Sequence, residues 1–335
     1  MKQYITDTDG VLIRIEEFSL IDAIGLEEYN KWQTHNDKRV AKGLMPIEYE
    51  EYRMGLVLLR GDQIKRNEEI ELIKDWKEKN LSEIAILIDE ELGSFNFLNY
   101  KNTLKMGLEP QYLYRFVILC CYMDYDNSIR YGNAKDEYNY ATEKDLEEIW
   151  RLSKRETINT KKALIQYDLL RVEGKHLYIN PNYCRRGQKG KKIPKTYLKG
   201  SAKMFNDGLI ELNQKVDAKR HKQMALFVEL LPYVNYHYNI VCSNPNESDI
   251  EKIKPLTPKE ICKLIGYDEN QSSRLIRELL KLKINGLDAI ALVIRDSLSV
   301  KDIYINPFIY CKTNDAEKLR GIITIFKTKN HKKNS

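Results

Sequence analysis

The sequence predicts an α+β protein that is predominantly helical and that contains one set of elements twice, behind an N-terminal helical region. Apolar residues recur at the spacing of amphipathic helices through most of the 335 residues. The sequence Leu-Tyr-Ile-Asn-Pro at 177–181 returns as Ile-Tyr-Ile-Asn-Pro at 303–307, and a Tyr-Cys pair follows each copy. A chain of this length usually forms two or three domains, so we expect the duplication to define two of them.

The composition and the first residues favour a cytoplasmic protein. Hydrophobic residues make up 42% and charged residues 31%, which is typical of a soluble globular chain. No run approaches the roughly 18 apolar residues of a transmembrane helix, and acids follow Met1 where a secretory signal would be apolar. The six cysteines lack Cys-x-x-Cys spacing, so we expect buried thiols without disulfides or a zinc site.

Residues 1–92 form an acidic region whose role the sequence does not indicate. A hairpin is expected around Asp9 and Gly10, and helices are expected from Leu26 to about Glu91. Residues 1–105 hold 15 Lys and Arg against 21 Asp and Glu, whereas the remainder holds 40 against 28. The C-terminal two thirds are therefore basic enough to neutralise phosphates, although a solvated lysine-rich surface would look the same.

The first copy, residues 93–184, contains a short strand, an apolar helix, two capped helices and a hairpin. Thr142 and Ser153 are the expected N-caps, and each has an acid three residues further on. The hairpin turns at Gly174. The residues that we expect to face the core from the helix after Ser153 are Ile158, Ile165 and Leu169.

The second copy, residues 217–312, repeats this order. Thr257 is the expected N-cap, Pro258 occupies the first helical position and Glu260 the third, and Gly266 ends the helix. Two extended runs close the copy at 289–295 and 303–305, joined by a turn at 296–302. The next helix should turn its apolar side inward through Leu275, Ile276, Leu279 and Leu280.

Helix, strand, helix, short turn, helix and hairpin is the order of a winged helix-turn-helix, which binds DNA through its third helix. We therefore expect winged helix 1 at 93–184, a basic linker at 185–216, winged helix 2 at 217–312 and a basic C-terminal tail at 313–335. A helix reads base edges in the major groove with short polar and forked basic side chains. The base-reading candidates are Lys154, Arg155, Thr157, Asn159 and Lys161 in the first copy and Asn270, Gln271, Ser273, Arg274 and Arg277 in the second.

Cations at the first hairpin and after it are candidates for phosphate binding. Residues 185–195 carry six cations and two glycines, which favours a segment that follows the DNA backbone, with a plain flexible linker as the alternative. The phosphate-binding candidates are Lys162, Lys175, Arg185, Arg186, Lys189, Lys191, Lys192 and Lys195.

The sequence contains no recognisable catalytic constellation. The five histidines never take the His-x-His spacing that would hold the metal of a nickase, and no Gly-x-x-x-x-Gly-Lys-[Ser/Thr] loop occurs. Paired acids such as Glu90 and Glu91 lack a basic or histidine partner. We therefore expect a protein that is not an enzyme and that binds no metal and no cofactor.

Residues from about Phe95 to Leu198 resemble winged-helix proteins of plasmids and phages from low-GC Gram-positive bacteria. The resemblance lies in Tyr-Met-Asp-Tyr-Asp-Asn at 122–127 and in the wing ending Tyr-Ile-Asn-Pro-Asn-Tyr-Cys-Arg-Arg-Gly at 178–187. The tandem layout is similar to plasmid replication initiators, in which two winged helices of one chain grip successive major grooves of a repeat. The resemblance implies double-stranded DNA as the partner, with a homodimer and host or element replication proteins as further partners and no membrane.

The second copy departs from that family's pattern. The first turns of its third helix carry only Arg274 and Arg277 as cations, and its wing turn at 296–302 contains two acids and one lysine. This copy would therefore either read DNA or pair with another subunit. Two alternatives to an initiator stay open: a transcriptional regulator of a phage or plasmid, and a winged-helix module that binds protein.

Overall fold

The computed structural model describes residues 4–6, 12–14, 25–132, 139–186, 193–294 and 301–331. This part of the chain is α+β and mostly helical, with small antiparallel sheets, as the sequence predicts. The chain divides into two units, Met1–Lys77 and Glu78–Ser335. The division precedes the expected boundary after residue 92 because Ile84, Ile88 and Leu92 are buried in the core of the second unit.

The first unit contains a hairpin and two helices. Strands Tyr4–Thr6 (β1) and Leu12–Arg14 (β2) pair antiparallel, and the expected turn at Asp9 and Gly10 lies outside the described residues. Helix Leu26–Val40 (α1) is followed by Tyr49–Leu87 (α2), which continues into the second unit. Asn36 fixes the connection between them, because its side-chain amide donates to the carbonyl of Ile47 and accepts from its N–H, both at 3.0 Å.

The second unit begins within α2, which ends in a π-helical turn at Ile88–Leu92. Its strands are Phe95–Leu98 (β3), Leu170–Glu173 (β4), His176–Ile179 (β5), Cys184–Arg186 (β6), Ala202–Phe205 (β7), Lys283–Ile284 (β8), Leu287–Asp288 (β9), Ile290–Ile294 (β10), Lys301–Ile305 (β11) and Tyr310–Cys311 (β12). Its α-helices are Tyr100–Lys105 (α3), Pro110–Cys120 (α4), Glu143–Trp150 (α5), Lys154–Gln166 (α6), Lys195–Leu198 (α7), Asn206–Lys215 (α8), His221–Met224 (α9), Leu226–Glu229 (α10), Pro258–Leu264 (α11), Ser272–Leu280 (α12) and Ala316–His331 (α13). Short 3₁₀ turns lie at Ala218–Arg220, Leu231–Tyr233, Ile250–Lys252 and Glu269–Gln271.

A four-stranded antiparallel sheet in the order β12-β7-β3-β6 joins the two copies. The central strands are β3, which opens the first copy, and β7, which lies in the segment before the second copy, and Phe95 lies opposite Phe205. The outer strands β6 and β12 follow the hairpins of the same two copies. One continuous core lies beneath both copies and includes the buried side chains of Phe116, Trp150 and Phe227.

Two segments that the sequence analysis assigned to a linker and a tail are folded. Residues 185–216 hold α7, α8 and β7, and Leu209 and Leu212 are buried, so this segment is not a linker. Residues 316–331 form α13, whose Leu319 and Phe326 are buried at helical spacing. Both segments carry apolar residues that pack in the core of the second unit, and these alternate in the sequence with the basic residues.

The two copies share the same backbone hydrogen bonds, which gives the sequence repeat a structural basis. In the first copy, the N–H of Ile129 donates to the carbonyl of Leu177 at 2.9 Å, and in the second, Val241 donates to Ile303 at 2.9 Å. An extended segment after the first helix therefore pairs with the second strand of each hairpin. The isolated bridges between Ser128 and Tyr178 and between Ile240 and Tyr304 lie at the same positions.

The asparagine of each Asn-Pro repeat ties the base of its hairpin together. The Asn180 N–H donates to the carbonyl of Leu169 at 3.0 Å, and the Asn180 side chain donates to the carbonyl of Asp168 at 2.8 Å. Asn306 makes the equivalent bonds to the carbonyls of Ala289, at 3.1 Å, and Asp288, at 2.8 Å. The repeated motif is therefore conformational, because it closes the hairpin rather than presenting a group to solvent.

All six cysteines are buried free thiols, as predicted. No helix in the described part of the chain is both long enough and apolar enough to cross a membrane.

Candidate nucleic-acid interface

The third helix of the first copy, α6, turns a polar face to the core. Ser153 caps it by accepting from the N–H of Glu156 at 3.4 Å. Thr160 faces inward because its hydroxyl accepts a hydrogen bond at 2.8 Å from the buried guanidinium of Arg115. The prediction that Ile158 and Ile165 face the core is therefore wrong: their side chains are 40% and 42% exposed.

This orientation decides which candidates on α6 reach solvent. Thr157 is only 4% exposed and cannot touch a base, so its assignment as a reading residue is wrong. Lys161 is half-buried, and its ammonium is paired with the carboxylate of Glu143. The candidates that are exposed are Lys154, Arg155, Asn159 and Lys162, together with Lys175 in the hairpin turn.

The third helix of the second copy, α12, follows the predicted pattern more closely. Thr257 and Glu260 form the expected capping box at the start of the preceding helix. Leu275, Ile276 and Leu279 are buried, as predicted, and Leu280 is half-buried. The five reading candidates are all exposed, namely Asn270, Gln271, Ser273, Arg274 and Arg277. The wing turn between β10 and β11 lies largely outside the described residues, which resume at Lys301.

One short basic segment, Lys-Arg-His-Lys at 219–222, is linked to α6 through Arg115 of α4 and pairs directly with α12. Arg115 lies 3.5 Å from the carboxylate of Glu156 on α6 and donates from Nε to Nδ1 of His221 at 3.3 Å. Arg220 lies 3.5 Å from Glu278 on α12. Lys219 and Lys222 of this segment are exposed.

Lys219 and Lys222 are not among the residues predicted from the sequence, although the run of four consecutive basic residues at 219–222 was a signal for them. Both residues help to line a cavity of about 260 Å³, together with Leu275 of α12.

His221 is held neutral at the centre of this arrangement. It is fully buried, and burial together with the guanidinium groups of Arg115 and Arg151 lowers the pKa of His221 to about 4. Its Nδ1 accepts the hydrogen bond from Arg115, which requires that this nitrogen carry no proton. The neutral imidazole thus fixes the buried cation that orients α6.

Arg185 and Arg186, two of the cations predicted to bind phosphate, donate hydrogen bonds within the fold. Arg186 donates to the carbonyl of Met123 at 3.0 Å. In the second copy, Lys312 makes the corresponding bond, to the carbonyl of Val234 at 2.9 Å. In both copies a cation after the hairpin thus caps carbonyls after the first helix. Arg185 donates to the carbonyl of Pro181 at 2.6 Å and packs on the ring of Tyr197.

The phosphate-binding assignment of Arg185 and Arg186 is therefore not supported, because internal acceptors occupy both guanidinium groups. Lys195 is exposed at the start of α7. Lys189, Lys191 and Lys192 lie outside the described residues.

Among the described residues, no group of three or more His, Cys, Asp or Glu side chains could hold a metal ion. Compared with known proteins, the chain matches no family model, no curated protein and no solved structure.

Proposed function

We propose that this chain is a sequence-specific double-stranded DNA-binding protein in which both copies act as winged helices. The observation that carries the proposal is the duplicated frame, in which each copy presents an exposed polar and cationic face on its third helix. Two copies that expose the same kinds of side chain suit a ligand with a repeating surface, and the major groove of DNA is such a surface.

The exposed side chains divide into two roles. The planar guanidinium groups of Arg155 and Arg274 can donate two hydrogen bonds to O6 and N7 of guanine. The side-chain amides of Asn159 and Gln271 can form two hydrogen bonds with N6 and N7 of adenine. Lys154, Lys162, Lys219 and Lys222 offer ammonium groups, which bind phosphates without regard to sequence. The short segment at 219–222 would then contact the backbone between the two reading helices.

Within this function we favour a replication initiator of a plasmid or phage. Support comes from the tandem arrangement and from the resemblance of residues 95–198 to winged-helix proteins of such elements. A transcriptional regulator would use the same DNA-binding parts. The target separates the two: an initiator protects direct repeats, and a regulator protects one element at a promoter.

One observation favours a protein-binding function as the second candidate. Ile158, Ile165 and Val172 are exposed on the third helix and hairpin of the first copy, and apolar side chains of this kind also suit a protein partner. In that case the chain would show no salt-dependent retention on DNA.

DNase footprinting on the DNA that flanks the gene, at two salt concentrations and with unrelated competitor, tests the proposal. Replacing Arg155 or Arg274 by Ala should reduce discrimination between target and competitor by about 1–3 kcal/mol. Replacing Lys219 or Lys222 by Ala should weaken both DNAs equally and lower the salt slope by about 1.

Lys252→Ala is the matched control, because that lysine is exposed on a 3₁₀ turn away from both third helices and its ammonium is paired with Asp249. It should leave binding unchanged. Absence of protection at either salt concentration would refute the DNA function and leave the protein-binding candidate standing.

A further inference from the structure

The cavity beside Lys219 and Lys222 lies where the two copies meet. Pro110, at the start of α4, brings the first copy into its wall, and the remaining wall belongs to the second copy. Gly266 helps to keep this space open, because a Cβ added there would lie more than 4 Å from every described atom apart from its chain neighbours. The volume of about 260 Å³ is slightly below the roughly 300–1,000 Å³ of pockets for drug-sized ligands, so the cavity suits a small molecule.

One part of the cavity wall is apolar. Leu226 of α10 and Leu275 of α12 are buried there, and the side chains of Ile265 and Tyr267 are half-buried. A ligand that contacts these side chains removes its own apolar surface from water, which favours binding. The wall therefore suits a ligand with an apolar body.

The polar part of the wall is cationic. Lys219, Arg220 and Lys222 line the cavity with one acid, Glu229. Within the described part of the chain, neither lysine forms an ion pair. Arg220 lies 3.5 Å from Glu278, but its Nη2 is buried and donates no hydrogen bond to any described group. The cavity therefore offers positive charge and an unused donor that its own residues do not match.

We propose that this cavity binds a small organic carboxylate, whose charged group contacts Lys219 and Lys222 and whose apolar body packs against Leu226 and Leu275. Cations outnumber acids three to one in the wall, so charge complementarity selects an anion over a neutral or cationic ligand. The apolar side chains select an organic anion over an inorganic one.

The ligand would also act on the second reading helix, a consequence that rests on the proposed function. Leu275 belongs to α12, and Arg220 pairs with Glu278 of the same helix. A carboxylate bound to Lys219 and Lys222 withdraws both ammonium groups from DNA phosphates. Ligand and DNA should therefore weaken each other's binding by the same factor.

Isothermal titration calorimetry of the full-length chain with 4-phenylbutyrate, in the absence of DNA, tests the site. The alcohol 4-phenylbutanol and the amine 4-phenylbutylamine have the same body without the negative charge, and butyrate has the charge without the ring. We expect 4-phenylbutyrate to bind at least about tenfold more tightly than each of the three. Absence of saturable binding up to about 10 mM would overturn the site, as would an alcohol, amine or butyrate that binds equally well.

Variants locate the binding in this cavity. Lys219→Ala and Lys222→Ala should each weaken binding of 4-phenylbutyrate about threefold, and Glu229→Gln should strengthen it about threefold, because it removes the only negative charge of the wall. Lys263→Ala is the matched control, because Lys263 is exposed on α11 outside the wall. It should bind like wild type, and lysine variants that behave like this control would overturn the assignment.

Footprinting with increasing 4-phenylbutyrate tests the competition. Protection of the DNA should require more wild-type protein as the ligand concentration rises. The calorimetric result contains no DNA, so it stands or fails independently of the proposed function. A ligand that binds but leaves the DNA affinity unchanged would overturn the competition.

Discussion

Replacing the asparagine of either Asn-Pro repeat should destabilise the second unit. Asn306 is fully buried, its side-chain amide donates to the carbonyl of Asp288 at 2.8 Å, and its Oδ1 accepts from the N–H of Phe308 at 2.9 Å. Asn306→Ala removes both bonds and takes this acceptor away from the buried N–H of Phe308.

The magnitude follows from the two lost hydrogen bonds and from the buried N–H of Phe308, which loses its side-chain acceptor. A hydrogen bond contributes about 0.5–1.5 kcal/mol and a buried polar group left without a partner costs about 1–3 kcal/mol, so we expect Asn306→Ala to lower the free energy of unfolding by about 3 kcal/mol. Asn180→Ala should cost less, about 2 kcal/mol, because the N–H that donates to Asn180 belongs to the exposed Asn182 and can bind water instead.

Urea unfolding followed by circular dichroism measures these changes through the midpoint at constant m-value. Asn182→Ala is the control, because this neighbouring side chain is exposed and only its backbone N–H takes part, donating to Oδ1 of Asn180. It should change the free energy of unfolding by less than about 0.5 kcal/mol. A loss under about 1 kcal/mol for Asn306→Ala would refute the view that the repeat exists to close the hairpins.

Two further predictions concern packing and pH. A Cβ added at Gly208 would lie 2.0 Å from the backbone carbonyl oxygen of Phe308, so Gly208→Ala should destabilise the protein by at least about 2 kcal/mol in a thermal melt. The control Gly321→Ala adds a Cβ with nothing within 4 Å on a helix and should stabilise by about 0.5–1 kcal/mol; equal effects would contradict the predicted clash. The pKa of His221 lies at about 4, below its ordinary 6.5, because of burial and the charge of Arg115. As the pH falls, His221 therefore binds a proton in the unfolded chain before it does so in the folded protein. The contribution of the neutral imidazole to the free energy of unfolding is present above pH 6.5, and the free energy of unfolding should fall by up to about 3 kcal/mol as the pH drops to 4. His221→Gln should flatten this part of the pH profile, and a profile unchanged by the substitution would exclude His221 as its source.

The sequence by itself determined the features that depend on neighbouring residues. Thr142, Ser153 and Thr257 cap helices as predicted, because an N-cap side chain bonds to a backbone N–H only two or three residues away. The inward face of α12 was predictable for a related reason: its apolar residues form one clear stripe, and no competing polar partner changes its orientation.

Tertiary structure decided which candidate residues on α6 reach solvent. The apolar spacing favoured Ile158 and Ile165 as the inward residues, yet the buried Arg115 requires a polar acceptor, and Thr160 supplies it. An unpaired buried cation costs more than two exposed isoleucines, so the helix presents its threonine face to the core. Arg115 and Thr160 are 45 positions apart, and no local pattern joins them.

The roles of the cations were likewise set by distant contacts. In the sequence, Arg186 belongs to a basic segment. In the structure it lies opposite Asn96 in the shared sheet and donates to the carbonyl of Met123, 63 positions earlier in the chain. Lys219 and Lys222 became candidates only because their segment pairs with α12 through Arg220 and lines a cavity beside Leu275. Caps, turns and the repeat could be predicted because their partners lie within a few residues. The orientation of α6 and the hydrogen-bond partners of the cations could not be predicted, because those partners come close only when the two copies pack on one core.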